Sequence, residues 1–154
     1  NAIDGGSGFF QHGHTYIGHP VATAAGLAVV RALLDRGLVE RVTPMGNKLQ
    51  TALVSALGQH PHVGDIRGRG LFRGIELVAD RDTKAPFDPA LKLAATVKKA
   101  AFEAGLICYP MSGTRDGVNG DHILLAPPFI ISDEQIAEVV DKLELAISQS
   151  LPKG

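Results

Sequence analysis

The chain has 154 residues, 45% hydrophobic and 20% charged, with a formal net charge of −1. That length fits one domain able to bury about 70% of its unfolded surface. The near-neutral balance leaves no basic footprint for nucleic acid or an anionic membrane. One cysteine, Cys108, excludes an intrachain disulfide and points to a reducing, cytoplasmic compartment. No apolar run reaches the roughly 18 residues of a membrane span.

The chain opens on Asn1-Ala2-Ile3-Asp4 and Gly5-Gly6-Ser7-Gly8, with no initiator methionine and no signal-peptide core. We read this opening as part of something longer. Residues 1–19 are rich in Gly, His and aromatics and show no helical period. Pro20 suits the first position of a helix, where its missing N–H is not needed. That helix is expected to run to about Arg36, with Gly37 as its C′ residue. Val21 to Val30 is apolar nearly all round, which predicts burial on more than one face.

A second helix is predicted over about Leu38–Leu57. Val42, Met45, Leu49, Leu53 and Leu57 form its apolar stripe. Pro44 falls early and is expected to delay its regular start. Two short strands follow, about Val63–Arg67 and Leu71–Leu77, joined tightly by Gly68-Arg69-Gly70. Asp88-Pro89 reads as the cap and first residue of a third helix over 89–104, stopped by Gly105. Leu106–Tyr109 and His122–Leu125 read as strands around a Gly-rich loop. Ser132 to Gln135 is a capping box for a last helix with Ile136, Val139, Val140, Leu143 and Ile147 inward. The expected fold class is α+β, a small, mostly antiparallel sheet packed with helices on one side.

The chemically informative stretch is Phe10-Gln11-His12-Gly13-His14-Thr15-Tyr16-Ile17-Gly18-His19-Pro20. It is a polar, Gly-punctuated loop feeding a helix N-terminus, where free N–H groups and the dipole favour an anion such as phosphate. The plainer alternative is that Thr15 and His19 only cap the helix. His12, His14 and His19 lack metal-ligand spacing, and no Gly-x-Ser-x-Gly elbow is present. Gly68, Gly70 and Gly74 read as turn-makers, Arg69 and Glu76 as fold-supporting or surface residues, and Cys108 as a core residue.

The run from His12 to Ala28, His-Gly-His-Thr-Tyr-Ile-Gly-His-Pro-Val-Ala-Thr-Ala-Ala-Gly-Leu-Ala, resembles the class III aminotransferase segment that joins the large cofactor domain to the long interdomain helix. Arg67-Gly68-Arg69-Gly70-Leu71-Phe72-Arg73-Gly74-Ile75-Glu76-Leu77 is similar to the family's Gly-x-Gly-Leu strand pair. Gly120-Asp121-His122-Ile123-Leu124-Leu125-Ala126-Pro127-Pro128 is similar to the strand before its last helix. The three matches come in family order.

The resemblance implies a fold type I enzyme dependent on pyridoxal 5′-phosphate. It divides the chain into a cofactor-phosphate loop (1–19), an interdomain helix (20–37) and a C-terminal small domain (38–154). Thr15 matches the threonine that donates to the cofactor phosphate across a homodimer interface, with Gly13 and His14 shaping the loop. Arg115 stands where some members keep an arginine that grips a substrate carboxylate. The matching position itself is Gly117, and the plainer role for Arg115 is a solvated loop charge.

Transamination also needs a lysine that forms a Schiff base with the cofactor, and an acid against the pyridinium nitrogen. In the family both come from the large domain, which would lie before residue 1. None of Lys48, Lys84, Lys92, Lys98, Lys99, Lys142 and Lys153 has a family-like context. The resemblance therefore implies a fragment inactive alone. Its parent would move an amino group from an amine or ω-amino acid to a keto acid. Two other readings stand beside it: a free-standing, non-catalytic dimerisation or binding module derived from the family, and a phosphate-metabolite binder using Thr15.

Overall fold

A computed structural model describes residues 1–152. The chain falls into two units, Asn1–Gly37 and Leu38–Gly154.

In the first unit, residues before Pro20 form turns and irregular backbone, and α1 spans Pro20–Asp35. Gly37 follows with φ 56°, the left-handed conformation expected past a helix end. No residue of α1 is buried, and Val21, Leu27, Val29, Val30 and Leu34 are all at least half exposed.

The second unit runs α2 (Leu38–Leu57), β1 (Val63–Arg69), β2 (Phe72–Leu77), α3 (Leu93–Glu103), β3 (Tyr109–Ser112), β4 (Asp121–Leu125) and α4 (Asp133–Ser150). The four strands form one antiparallel sheet in the order β1-β2-β4-β3. Alternation along β2 and β4 turns Ile75, Leu77, Ile123 and Leu125 inward. They meet Leu49, Leu53 and Leu57 of α2, Val97 and Ala101 of α3, and Leu143 and Ile147 of α4 in one core. The opposite face keeps Phe72, Gly74, Glu76, His122 and Leu124 partly or fully exposed. The fold is α+β, a small antiparallel sheet with helices, as the sequence predicts.

Several boundaries differ from expectation. Pro44 does not delay α2, which is helical from Leu38; the ring simply removes one N–H from its interior. The third helix is broken. Pro89–Leu91 is a 3₁₀ turn capped by the Asp88 carboxylate on Ala90 N–H at 2.9 Å, and Lys92 at φ 49° interrupts before α3 begins at Leu93. The strand expected over Leu106–Tyr109 instead begins at Tyr109. Leu106 is pulled into the core, and its N–H donates to Ala101 O at 2.8 Å as part of the end of α3. Cys108 therefore lies in irregular backbone, half-buried against the core.

One close approach fixes the hairpin on α2. A Cβ at Gly46 would fall 2.1 Å from the Gly70 carbonyl oxygen, so only glycine admits the β1–β2 turn there. Gly70 itself has φ 55°.

Candidate functional site

The first candidate lies in the Asn1–Gly37 unit. Two overlapping turns shape residues 14–19: Ile17 N–H donates to His14 O at 3.0 Å and His19 N–H to Tyr16 O at 3.1 Å, with Gly18 at φ 74°. The cap of α1 is His19, whose Nδ1 accepts from Ala22 N–H at 3.4 Å. Its carbonyl also accepts the Thr23 hydroxyl at 2.9 Å.

Thr15 is no cap. It sits exposed inside the first turn, and its hydroxyl has no hydrogen bond among the described residues. Nor do the Thr15 and Tyr16 N–H groups donate to any backbone carbonyl there. Of the two cap candidates, His19 alone caps the helix. Gly13 leaves open space where a side chain would begin, and His14 is exposed beside it. The rings of His12 and His14 lie 6.4 Å apart, in a chain of edge contacts with Phe10. No group of three metal-ligating side chains occurs among the described residues.

The second candidate is the loop 113–120 of the other unit, with the open sheet face beside it. Gly113 N–H donates to Gly120 O at 2.7 Å and Arg115 N–H to Asn119 O at 2.9 Å, closing the loop at its base. At its tip the Asp116 carboxylate accepts from Asn119 Nδ2 (2.8 Å), Asn119 N–H (2.7 Å) and Val118 N–H (2.9 Å). These bonds, Asn119 first, with a smaller contribution from the Arg115 charge, hold its pKa down at about 2. Arg115 is exposed. Gly117 has φ 89°, where a side chain is strained, so an arginine at that position would not share this loop conformation.

Below the loop, Thr114 Oγ1 lies 2.6 Å from His122 Nδ1. A groove of about 420 Å³ runs over Gly74 between Phe72, His122 and the ion pair of Arg67 with Glu76 (2.6 Å). Arg67 also meets Asp65 at 2.8 Å, and hydrogen bonds to the two carboxylates raise its pKa.

Two residues that motif reading passed over turn out to organise the fold around these loops. Asp121 is buried on β4, and its Oδ1 accepts Ala94 N–H at 3.3 Å, so it caps α3 from a distant strand where Lys92 offers no side-chain cap. Arg73 is 6% exposed, with Nη1 donating to Gly68 O at 2.7 Å and Nη2 to Gly46 O at 2.8 Å. Only the alternation of β2 signals it, since position 73 shares the inward parity of Ile75 and Leu77.

The described lysines are surface groups. Lys48 pairs with Asp133 at 2.6 Å, Lys142 with Glu138 at 2.6 Å, and Lys84 donates to Gly64 O at 2.8 Å. Lys92, Lys98 and Lys99 are exposed, and Lys153 lies outside the described residues. Burial pushes the Cys108 thiol pKa up, which suits a packing residue rather than a nucleophile. No helix among the described residues is long and apolar enough to cross a membrane.

Residues 1–147 match the aminotransferase class-III family, and the chain belongs to it. It is 46% identical to an uncharacterised aminotransferase of Schizosaccharomyces pombe, over 94% of this chain and 31% of that protein. Among solved structures it resembles a Bacillus anthracis aminotransferase (42% identity, TM-score 0.80), over 92% of this chain and 31% of that one. It also resembles an (S)-enantioselective omega-transaminase from Thermomicrobium roseum (32% identity, TM-score 0.82), over 97% of this chain and 32% of that one. The chain thus spans about a third of the length of the proteins it matches.

Proposed function

We propose that the chain serves as the C-terminal part of a pyridoxal 5′-phosphate-dependent aminotransferase that moves an amino group from an amine or ω-amino acid to a keto acid. The observation that carries this reading is the turn at Thr15. A phosphate needs several donors converging from one side. The Thr15 hydroxyl and the N–H groups of Thr15 and Tyr16 have no partner among the described residues and so are free to donate, and Gly13 adds no side chain beside them; this supports the reading. Residues 1–19 then act as a phosphate loop, with Gly13 and His14 shaping it and Thr15 donating into the site of a second subunit. Residues 20–37 form an interdomain helix, and residues 38–154 the small domain.

When bound, the cofactor supplies an electron sink for amino-group exchange. This chain's own residues bind and orient. Thr15 holds the phosphate, and Arg115 at the loop tip offers a guanidinium to a substrate carboxylate. The proton-transferring lysine is assigned outside these residues, because the described lysines are exposed or tied to surface carboxylates and carbonyls. A covalent, proton-shuttling lysine instead needs a desolvated setting that lowers its pKa. The omega-transaminase named above supports the amine or ω-amino acid substrate class.

The test is borohydride trapping of the chain with pyridoxal phosphate, followed by intact mass spectrometry and mapping of the modified lysines. No dominant adduct is expected, and no transaminase turnover from the purified chain. One dominant adduct, or turnover, would overturn the assignment of the lysine elsewhere. A non-catalytic dimerisation or binding module is the second reading, favoured by the five large apolar side chains that α1 leaves at least half exposed. It predicts self-association with no effect of the cofactor on it.

A further inference from the structure

We propose that Asn119 is a self-modifying site, deamidated through its Gly120 neighbour at a rate governed by the Asp116 carboxylate, and that its conversion loosens the loop carrying Arg115. The proposal stands on loop 113–120 alone and does not depend on the functional reading above.

The chemistry needs an asparagine followed by a residue whose amide nitrogen can reach the carboxamide carbon. Glycine is the least obstructive such residue. In the step itself, the Gly120 nitrogen loses its proton to solvent and bonds to Asn119 Cγ. The Cγ–Nδ2 bond breaks, and the departing nitrogen takes a proton from solvent and leaves as ammonia. Water then opens the five-membered imide to aspartate or isoaspartate, so no oxidant or cofactor is required.

Asn119-Gly120 is the single Asn-Gly step in the chain, and it lies in a half-exposed loop. The Gly120 N–H donates to no backbone carbonyl among the described residues, so the attacking atom is not tied up in the backbone network.

The electrophile is fastened. Asn119 Nδ2 is held by Asp116 Oδ2 at 2.8 Å, and its own N–H by Asp116 Oδ1 at 2.7 Å. Its carbonyl accepts from Arg115 N–H at 2.9 Å, and the Gly120 carbonyl accepts from Gly113 N–H at 2.7 Å. Cyclisation has to swing the carboxamide away from Asp116 and toward the following nitrogen. One carboxylate thereby gates the reaction.

The product also changes the gate. A carboxylate at 119 loses the Nδ2 donor and places a second negative charge where Asp116 sits, so attraction becomes repulsion. Asp116 then loses its side-chain partner, and its bonds to Val118 and Asn119 N–H weaken with it. Isoaspartate additionally lengthens the backbone by one carbon between two anchored residues.

The experiment incubates the 154-residue chain in mildly alkaline buffer, digests it, and follows the amide-to-acid mass gain at residue 119. Asp116→Ala and a synthetic peptide of residues 113–125 run in parallel. Slow conversion in the chain, severalfold faster conversion in D116A and the fastest in the peptide would support the proposal, together with faster hydrogen exchange at Val118 in the converted fraction. No conversion in the chain while the peptide goes to completion would overturn Asn119 as a site. Equal rates in the chain and D116A would overturn the gate, and unchanged exchange at Val118 would overturn the loosening. Asn47, held within α2, is the internal control. If D116A also accelerates Asn47 it has unfolded, and Asp116→Ser, which keeps one acceptor oxygen without creating a second Asn-Gly step before Gly117, replaces it with the same outcomes.

Discussion

Arg73 brings a cation to the edge of the core with no ion-pair partner among the described residues. Its planar fork instead joins two carbonyls, Gly68 O on β1 and Gly46 O on α2, and so fastens the hairpin to the helix. Burial pulls its pKa below the usual arginine value. Removing the side chain loses both donors and opens a cavity, so Arg73→Ala is expected to cost about 2–4 kcal/mol in urea unfolding. Arg73→Met should cost less, because it keeps the packed stem.

Asp121 and Asp116 titrate in opposite directions. Burial raises the Asp121 pKa although Ala94 N–H donates to it. A raised carboxyl binds its proton more tightly in the folded state, so its charge subtracts stability as pH rises past the ordinary carboxylate value. Asp121→Asn, which keeps an acceptor for Ala94, is therefore expected to unfold near the wild-type midpoint at neutral pH. Asp121→Ala should lose about 1–2 kcal/mol as a lost helix cap. Asp116 is depressed to about 2. Its contribution is full above the ordinary carboxylate pKa and is lost as pH falls through about 2. The Val118 and Asn119 amide shifts should titrate with that midpoint, and should not do so in Asp116→Asn.

At the scale of elements, the informative cases are α1 and α3. The start of α1 is written locally: Pro20 at the first position and His19 before it, whose ring accepts Ala22 N–H. His19→Ala is expected to raise hydrogen exchange at Ala22 and Thr23 and to weaken the helix by about 1 kcal/mol. The start of α3 is not local. Asp88-Pro89 has the form of a helix start, and the chain does begin a turn there. Lys92 then flips to φ 49°, and the helix restarts with its cap supplied by Asp121, 27 residues from Ala94. Periodicity does not reveal such a break, because Leu93 and Val97 keep helical spacing beyond it. β3 was displaced for a related reason: Leu106 completes the end of α3 instead of pairing with β4.

For the molecule as a whole, the unresolved demand is the surface of α1. Five large apolar side chains on one 16-residue helix are at least half exposed, which on a monomer marks an interaction surface. The chain is expected to self-associate in light scattering across concentrations, and Leu27→Glu with Val30→Glu should shift it toward monomer. A wild-type monomer at all concentrations would count against the interface.

The sequence by itself determined the class of fold, the extent of α2 and the start of α4, because hydrophobic period and capping residues act over a few residues. Family membership was legible for the same reason, in three short motifs in order. Only the structure decided which local candidate, His19 and not Thr15, caps α1, that Asp121 caps α3, that Arg73 donates to Gly46 and Gly68, and that Asp116 clamps Asn119. Each of these is a hydrogen bond whose worth depends on which donor and acceptor the folded chain brings within 3.5 Å, and on how much water is left around them.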